Sequence, residues 1–241
     1  MRSMPKPWFL AAPIMISSGL FGSGCADNES SLFVRAVLHR VGPACAPRAS
    51  PESETLGGGV LDMAFATDVH GGSYVAALLV GNQLARVGNA DQVRTETARI
   101  TLKGAVVEVR DPAAGENSDP LVEYTTDGTG FVDPSSGTNP GYGIMYAELI
   151  PAGFTPSTSR VNVAVRVFGE TLGGDEIESK ELTFPISICT GCLIDFTHSD
   201  ANGACLVGDL GSGTEAPCRM GQDDPVPCET CAAEKPECRQ P

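Results

Sequence analysis

Tryptophan is almost missing from this chain; the one residue, Trp8, falls within the first ten. Aromatic residues amount to only 6%, too few for the flat ring platforms that sugar-binding sandwiches present. Tyr142 and Tyr146 share a strand face, but each is expected to pack in or against the core. Histidine is equally scarce: His39, His70 and His198 are all there is. His39 sits between Val37 and Val41 and reads as a half-buried strand histidine. His70-Gly71-Gly72 has the look of an oxyanion loop, yet no G-x-S-x-G elbow exists to use it. There is no H-E-x-x-H and no glycine-rich phosphate loop between a strand and a helix. Basic residues are in short supply, 16 against 30 acidic ones, for a formal charge of −14. A chain this acidic is repelled by nucleic acid and by anionic membrane surfaces. No long amphipathic helix and no repeat of fixed period is visible.

Glycine, proline and cysteine are plentiful instead, at 28, 18 and nine residues. Turns and cross-links therefore carry much of the organisation. Residues 1–24 have the layout of an export leader. Arg2 and Lys6 are its only charges, Trp8 to Ile16 is apolar, and small residues follow. Pro13 breaks the apolar run, which is too short to span a bilayer. Removing 1–24 takes away two positive charges and no negative one, so −14 becomes −16. Gly22-Ser23-Gly24-Cys25 resembles the bacterial lipobox, in which a cysteine after the cut receives lipid. Leu20 lies two residues further back than the family's leucine, and an ordinary signal peptide cut nearby is the alternative. Residues 25–31 form a polar tether. In lipoproteins an aspartate directly after the lipidated cysteine retains the protein at the inner membrane. Ala26 in that place implies the outer membrane by resemblance.

Residues 32–188 read as one all-β domain. Leu32, Val34, Ala36 and Leu38 alternate onto one face of a first strand. Val60 to Ala66 is a second strand, with Asp62 on its outer face. Tyr74 to Val80 is continuously apolar, as in a strand covered on both sides. Asn82 to Thr97 carries at most a helical turn. Ala98 to Arg110 changes phase, and a one-residue bulge near Gly104 would bring Ile100, Leu102, Val107 and Val109 to one face. Thr126-Asp127-Gly128 predicts a hairpin turn between strands 121–124 and 129–132. Tyr142 to Ile150 is a strand. Val161, Val163, Val165 and Val167 alternate most clearly of all, and with the preceding four they are the expected core. Gly173-Gly174-Asp175 turns the chain back. Leu182 to Ile188 alternates too, with Pro185 requiring an edge or a bulge. Eight or nine short strands of this kind predict an immunoglobulin-like β-sandwich, with a jelly roll as the alternative.

Residues 189–241 hold seven cysteines and few large apolar side chains, so cross-links must stabilise this small, loop-dominated tail. Cys189-Thr190-Gly191-Cys192 and Cys228-Glu229-Thr230-Cys231 are C-x-x-C pairs. Zinc is one reading of such pairs, but the 35 residues between them exceed the spacing of zinc ribbons, roughly 15–20. Disulfides are favoured, and no metal or cofactor is expected. His198 to Gly203 with Asp209 partly resembles a calcium loop, although a surface turn fits those residues better. Nine cysteines are an odd number. Lipid on Cys25 leaves Cys45, Cys189, Cys192, Cys205, Cys218, Cys228, Cys231 and Cys238. Seven tail cysteines cannot close among themselves, so Cys45 should bridge to the tail, with Cys189 or Cys192 as the expected partner.

Gly59-Val-Leu-Asp62, Phe168 to Gly174, Cys189-Thr-Gly-Cys-Leu193 and Pro217 to Cys228 make the chain resemble exported bacterial lipoproteins without known activity. The resemblance implies an architecture and no catalytic residues. The expected function is that of a non-enzymatic, lipid-anchored structural or protein-interaction module of the cell envelope. Its partners would be the membrane, through lipid, and an envelope protein; nucleic acid is excluded. A small-ligand or calcium-binding module using acidic loops such as Asp111–Asp119 is the alternative.

Overall fold

The computed structural model describes residues 31–42, 44–66, 72–88, 96–115, 118–197, 205, 217–231 and 238. Strands dominate it. In chain order come β1 (Leu32–Leu38), β2 (Thr55–Leu56), β3 (Gly59–Asp62), β4 (Tyr74–Asn82), β5 (Ile100–Arg110) and β6 (Val122–Val132). They are followed by β7 (Gly141–Ile150), β8 (Arg160–Thr171), β9 (Glu176–Glu178) and β10 (Leu182–Cys189). The tail contributes β11 (Ile194–Asp195), β12 (Val226–Pro227) and one helical turn, α1 (Cys228–Cys231). Among the described residues no helix is long and apolar enough to cross a bilayer.

Two sheets pack face to face. One has the order β2-β1-β4-β7; the other runs β3-β10-β8-β5-β6, with β9 also on β8. Their inner faces share one core, in which Val161, Val163, Val165, Val167, Ile100, Leu102, Val107 and Val109 are all buried. The phase change in β5 is a bulge. Register shifts between Leu102 and Gly104 against both neighbours, which keeps the apolar residues on either side facing inward. The outer face of this sheet is charged: Arg166 reaches Glu108 at 3.4 Å and Glu178 at 3.2 Å.

Four local expectations need correction. In β1 a second bulge falls between Val34 and Ala36. It turns Val37 into the main core and sends Leu38 to the opposite face, against Ala77 and Leu79. The expected strand 60–66 stops at Asp62, whose carboxylate accepts the N–H of Ala64 at 3.0 Å and starts a 3-10 turn over Met63–Phe65. No hairpin forms at Thr126-Asp127-Gly128; β6 runs straight through and pairs with β5 along its length. Gly128 answers to packing instead, because a Cβ there would lie 2.6 Å from the Met145 sulfur of β7. Finally, β10 is internal, antiparallel to β8 and parallel to β3. Pro185 is accommodated because β3 pairing begins only at Ile186, so at the proline the strand still lies at an edge. The helical turn considered within 82–97 falls partly on residues outside those described.

Candidate functional site

Two polar constellations stand out, and both lie where the tail meets the sandwich. The first is built by residues 217–224. This segment lies along the free edge of β3: Asp62 N–H donates to Gly221 at 2.8 Å and Asp223 N–H to Val60 at 3.1 Å. The edge is thereby covered, as an exposed strand edge requires. Gly221 is in the left-handed region, φ +76, and a Cβ on it would meet Phe65 at 2.8 Å. Asp223 takes a positive φ of 62 without being glycine.

That backbone strain is held by the Asp223 side chain. Its carboxylate accepts the Val60 N–H at 2.9 Å and the Tyr74 hydroxyl at 2.9 Å. Burial pushes the Asp223 carboxyl above its ordinary pKa, against the lowering effect of the bonds from Val60, Gln222 and Tyr74. Burial, with the Asp223 charge beside it, also pushes the Tyr74 phenol far up, so Tyr74 serves as a fixed donor. Gln222 behaves like one more residue of sheet. Its amide oxygen accepts from Val75 N–H at 3.0 Å and its amide nitrogen donates to Val75 C=O at 2.9 Å. It does so where β4 slips register against β7, between Tyr74 and Val75.

On the β1 side, His39 is held between two carboxylates, Asp224 at 2.8 Å and Glu54 at 3.2 Å. Burial works to lower its pKa, but the two carboxylates outweigh burial and hold it above 6.5. Arg219 donates to Ser73. Cys218 bridges to Cys45, Cα–Cα 5.4 Å. The cavity enclosed by these groups is about 10 Å³, room for a water at most. The constellation is therefore a latch and not a pocket.

The second constellation is centred on Asp62, 0% exposed at the end of β3. Besides Ala64 it accepts the N–H groups of Gly191 at 2.6 Å and Leu193 at 2.9 Å. The carboxylate thus folds the Cys189–Cys192 loop around itself. One of its oxygens and the two sulfurs lie within 4.8 Å of one another.

The cysteines pair as Cys45–Cys218, Cys189–Cys192, Cys205–Cys228 and Cys231–Cys238. Cys45 does bridge to the tail, but its partner is Cys218. Cys189 and Cys192 are not its partners, because both sit at the Asp62 end of β3 and close on each other. Cys25, His70, His198, Gly203 and Asp209 lie outside the described residues. The acidic loop after β5 lines an open depression of about 460 Å³ with Arg110, Asp111, Asn162, Glu181 and Thr183. Tyr142 packs edge-on against Phe33 with Arg35 over its ring, while Tyr146 is 44% exposed. Asp62, Gln222 and Asp223 escaped the sequence reading. The signal for Asp62 was an acid inside the apolar stretch Val60 to Phe65; for Gln222 and Asp223 the sequence offered none.

The chain matches no protein-family model and no curated protein.

Proposed function

We propose that this chain is a bacterial envelope lipoprotein, exported by residues 1–24 and held through lipid on Cys25 at the outer membrane.

 The outer membrane is where the Ala26 resemblance places it. In this reading it is a non-enzymatic structural or protein-interaction module. The observation that carries the reading is cysteine parity. All eight cysteines after Cys25 are used up in four disulfides, which leaves Cys25 the odd one among nine. Disulfides at this density belong to exported chains, where an odd thiol is a liability unless it is modified.

The seven residues from Cys25 to Leu32 reach at most about 25 Å, so the sandwich sits close over the lipid surface. In this reading the cross-linked tail, latched to the sandwich around His39 and Cys45, is the part offered to an envelope partner. Mass spectrometry of the mature protein from a bacterial membrane fraction tests the anchor. The expected N-terminus is a diacylated Cys25, and Cys25→Ser should release the protein or block its processing. An unmodified N-terminus at any other residue overturns the anchor.

A further inference from the structure

The disulfides separate the two C-x-x-C pairs. Cys228 and Cys231 are buried and bridge to Cys205 and Cys238. Cys189 and Cys192 bridge each other, and Cys192 is exposed to solvent. A bridge across a sequence separation of 3 constrains the unfolded chain far less than one across 173. The loop also has other supports. Gly191 and Leu193 are held by Asp62, and β11 pairs with β12 just beyond. Reduction would therefore leave both sulfurs in place.

Asp62 completes the set. A carboxylate offers about four lone-pair sites. Oδ1 accepts two N–H groups, from Ala64 and Gly191, but Oδ2 accepts only that of Leu193. Oδ2 therefore keeps acceptor capacity, and one oxygen of this fully buried carboxylate lies within 4.8 Å of both sulfurs. Two thiolates beside a buried carboxylate repel one another; a thiophilic cation removes the repulsion. Two sulfurs, one oxygen and a water make a tetrahedral set that suits a d10 ion.

We propose that Cys189, Cys192 and Asp62 form a redox-gated site for one thiophilic d10 metal ion of the Zn²⁺ class. The disulfide closes it and reduction by an external dithiol opens it. The thiolate of the dithiol attacks the exposed Cys192 sulfur, the Cys189–Cys192 bond breaks, and Cys189 leaves as thiolate. The second thiol of the reductant then attacks the mixed disulfide, closing its own disulfide and releasing Cys192. Two electrons pass to the protein pair, and metal binding sends the two thiol protons to solvent.

The test uses the full chain treated with limiting dithiol, freed of reductant, and titrated with Co²⁺ or ¹¹³Cd²⁺. Differential alkylation should find Cys189 and Cys192 reduced before the other three bridges. Cobalt should then give a thiolate charge-transfer band saturating at one equivalent, lost in Cys192→Ser and weakened at least tenfold in Asp62→Asn. The cadmium resonance of the unmutated protein reads the same ligand set if Asp62→Asn fails to fold, and a mixed sulfur–oxygen shift is expected. Earlier reduction of another bridge, absence of the cobalt band, or a sulfur-only cadmium shift overturns the site.

Discussion

Asp223 and Asp62 do related work at single-residue scale: the partly buried carboxylate of Asp223 accepts the Val60 N–H and the fully buried one of Asp62 accepts those of Gly191 and Leu193, and so each fixes tail to sandwich. His39 does this with charge, and the charge depends on pH. Its pKa is held above 6.5 in the folded protein, so protonation favours the folded state. That contribution is complete below about pH 6.5 and is lost as pH rises through the raised value. Asp223 has the same sign, since its raised pKa also makes the protonated form the better one in the folded state. Lowering the pH from about 8 to about 6.5 should therefore raise the melting temperature. His39→Gln should flatten that rise. A wild-type Tm that falls over this window, or a rise that survives in His39→Gln, contradicts the assignment of the effect to His39.

At the scale of elements, the paired strands β5 and β8 carry the core. Val165 stands opposite Val107 between them and is 0% exposed. Val165→Ala should cost about 1–3 kcal/mol through lost burial and a small cavity. Val165→Asp buries an unpaired charge and should cost well beyond that, enough to prevent folding. Urea unfolding of the alanine variant checks the first, and an unchanged midpoint would mean that the strand does not face the core. This alternation was legible because a period of two on a strand needs only neighbours to be read. The bulge at Gly104 was legible for the same reason, as a break in that period. The bulge in β1 was not: Leu32, Val34, Ala36 and Leu38 keep the period, and only pairing with β4 displaces Leu38. Thr126-Asp127-Gly128 misled because glycine marks turns and also close approaches, and Met145 makes this one an approach.

For the whole molecule, the Cys45–Cys218 bridge joins points 173 residues apart. Chain entropy gives such a closure about 5 kcal/mol, less any native-state cost. The double change Cys45→Ser, Cys218→Ser should therefore lower stability by several kcal/mol. The latch bonds of Gln222 and Asp223 should keep the tail partly docked. Limited proteolysis checks this: faster cleavage within residues 217–224 than in the parent is expected, with the sandwich itself still resistant. Equal cleavage in the two proteins would mean that the bridge contributes nothing to docking.

The sequence by itself determined the all-β class, the eight core residues of β5 and β8, and the need for a bridge from Cys45 to the tail. Those follow from local period and from parity, which require no knowledge of what lies across the molecule. Tertiary structure alone decided that Cys218 and not Cys189 takes Cys45, because the choice depends on which loops share an end of the sandwich. It alone placed Asp62 inside, where alternation puts it outside, because its partners Gly191 and Leu193 come from far along the chain. It alone made Gln222 a surrogate strand residue and Asp223 a strained anchor, since a polar side chain declares its role only when the backbone groups it satisfies are brought to it.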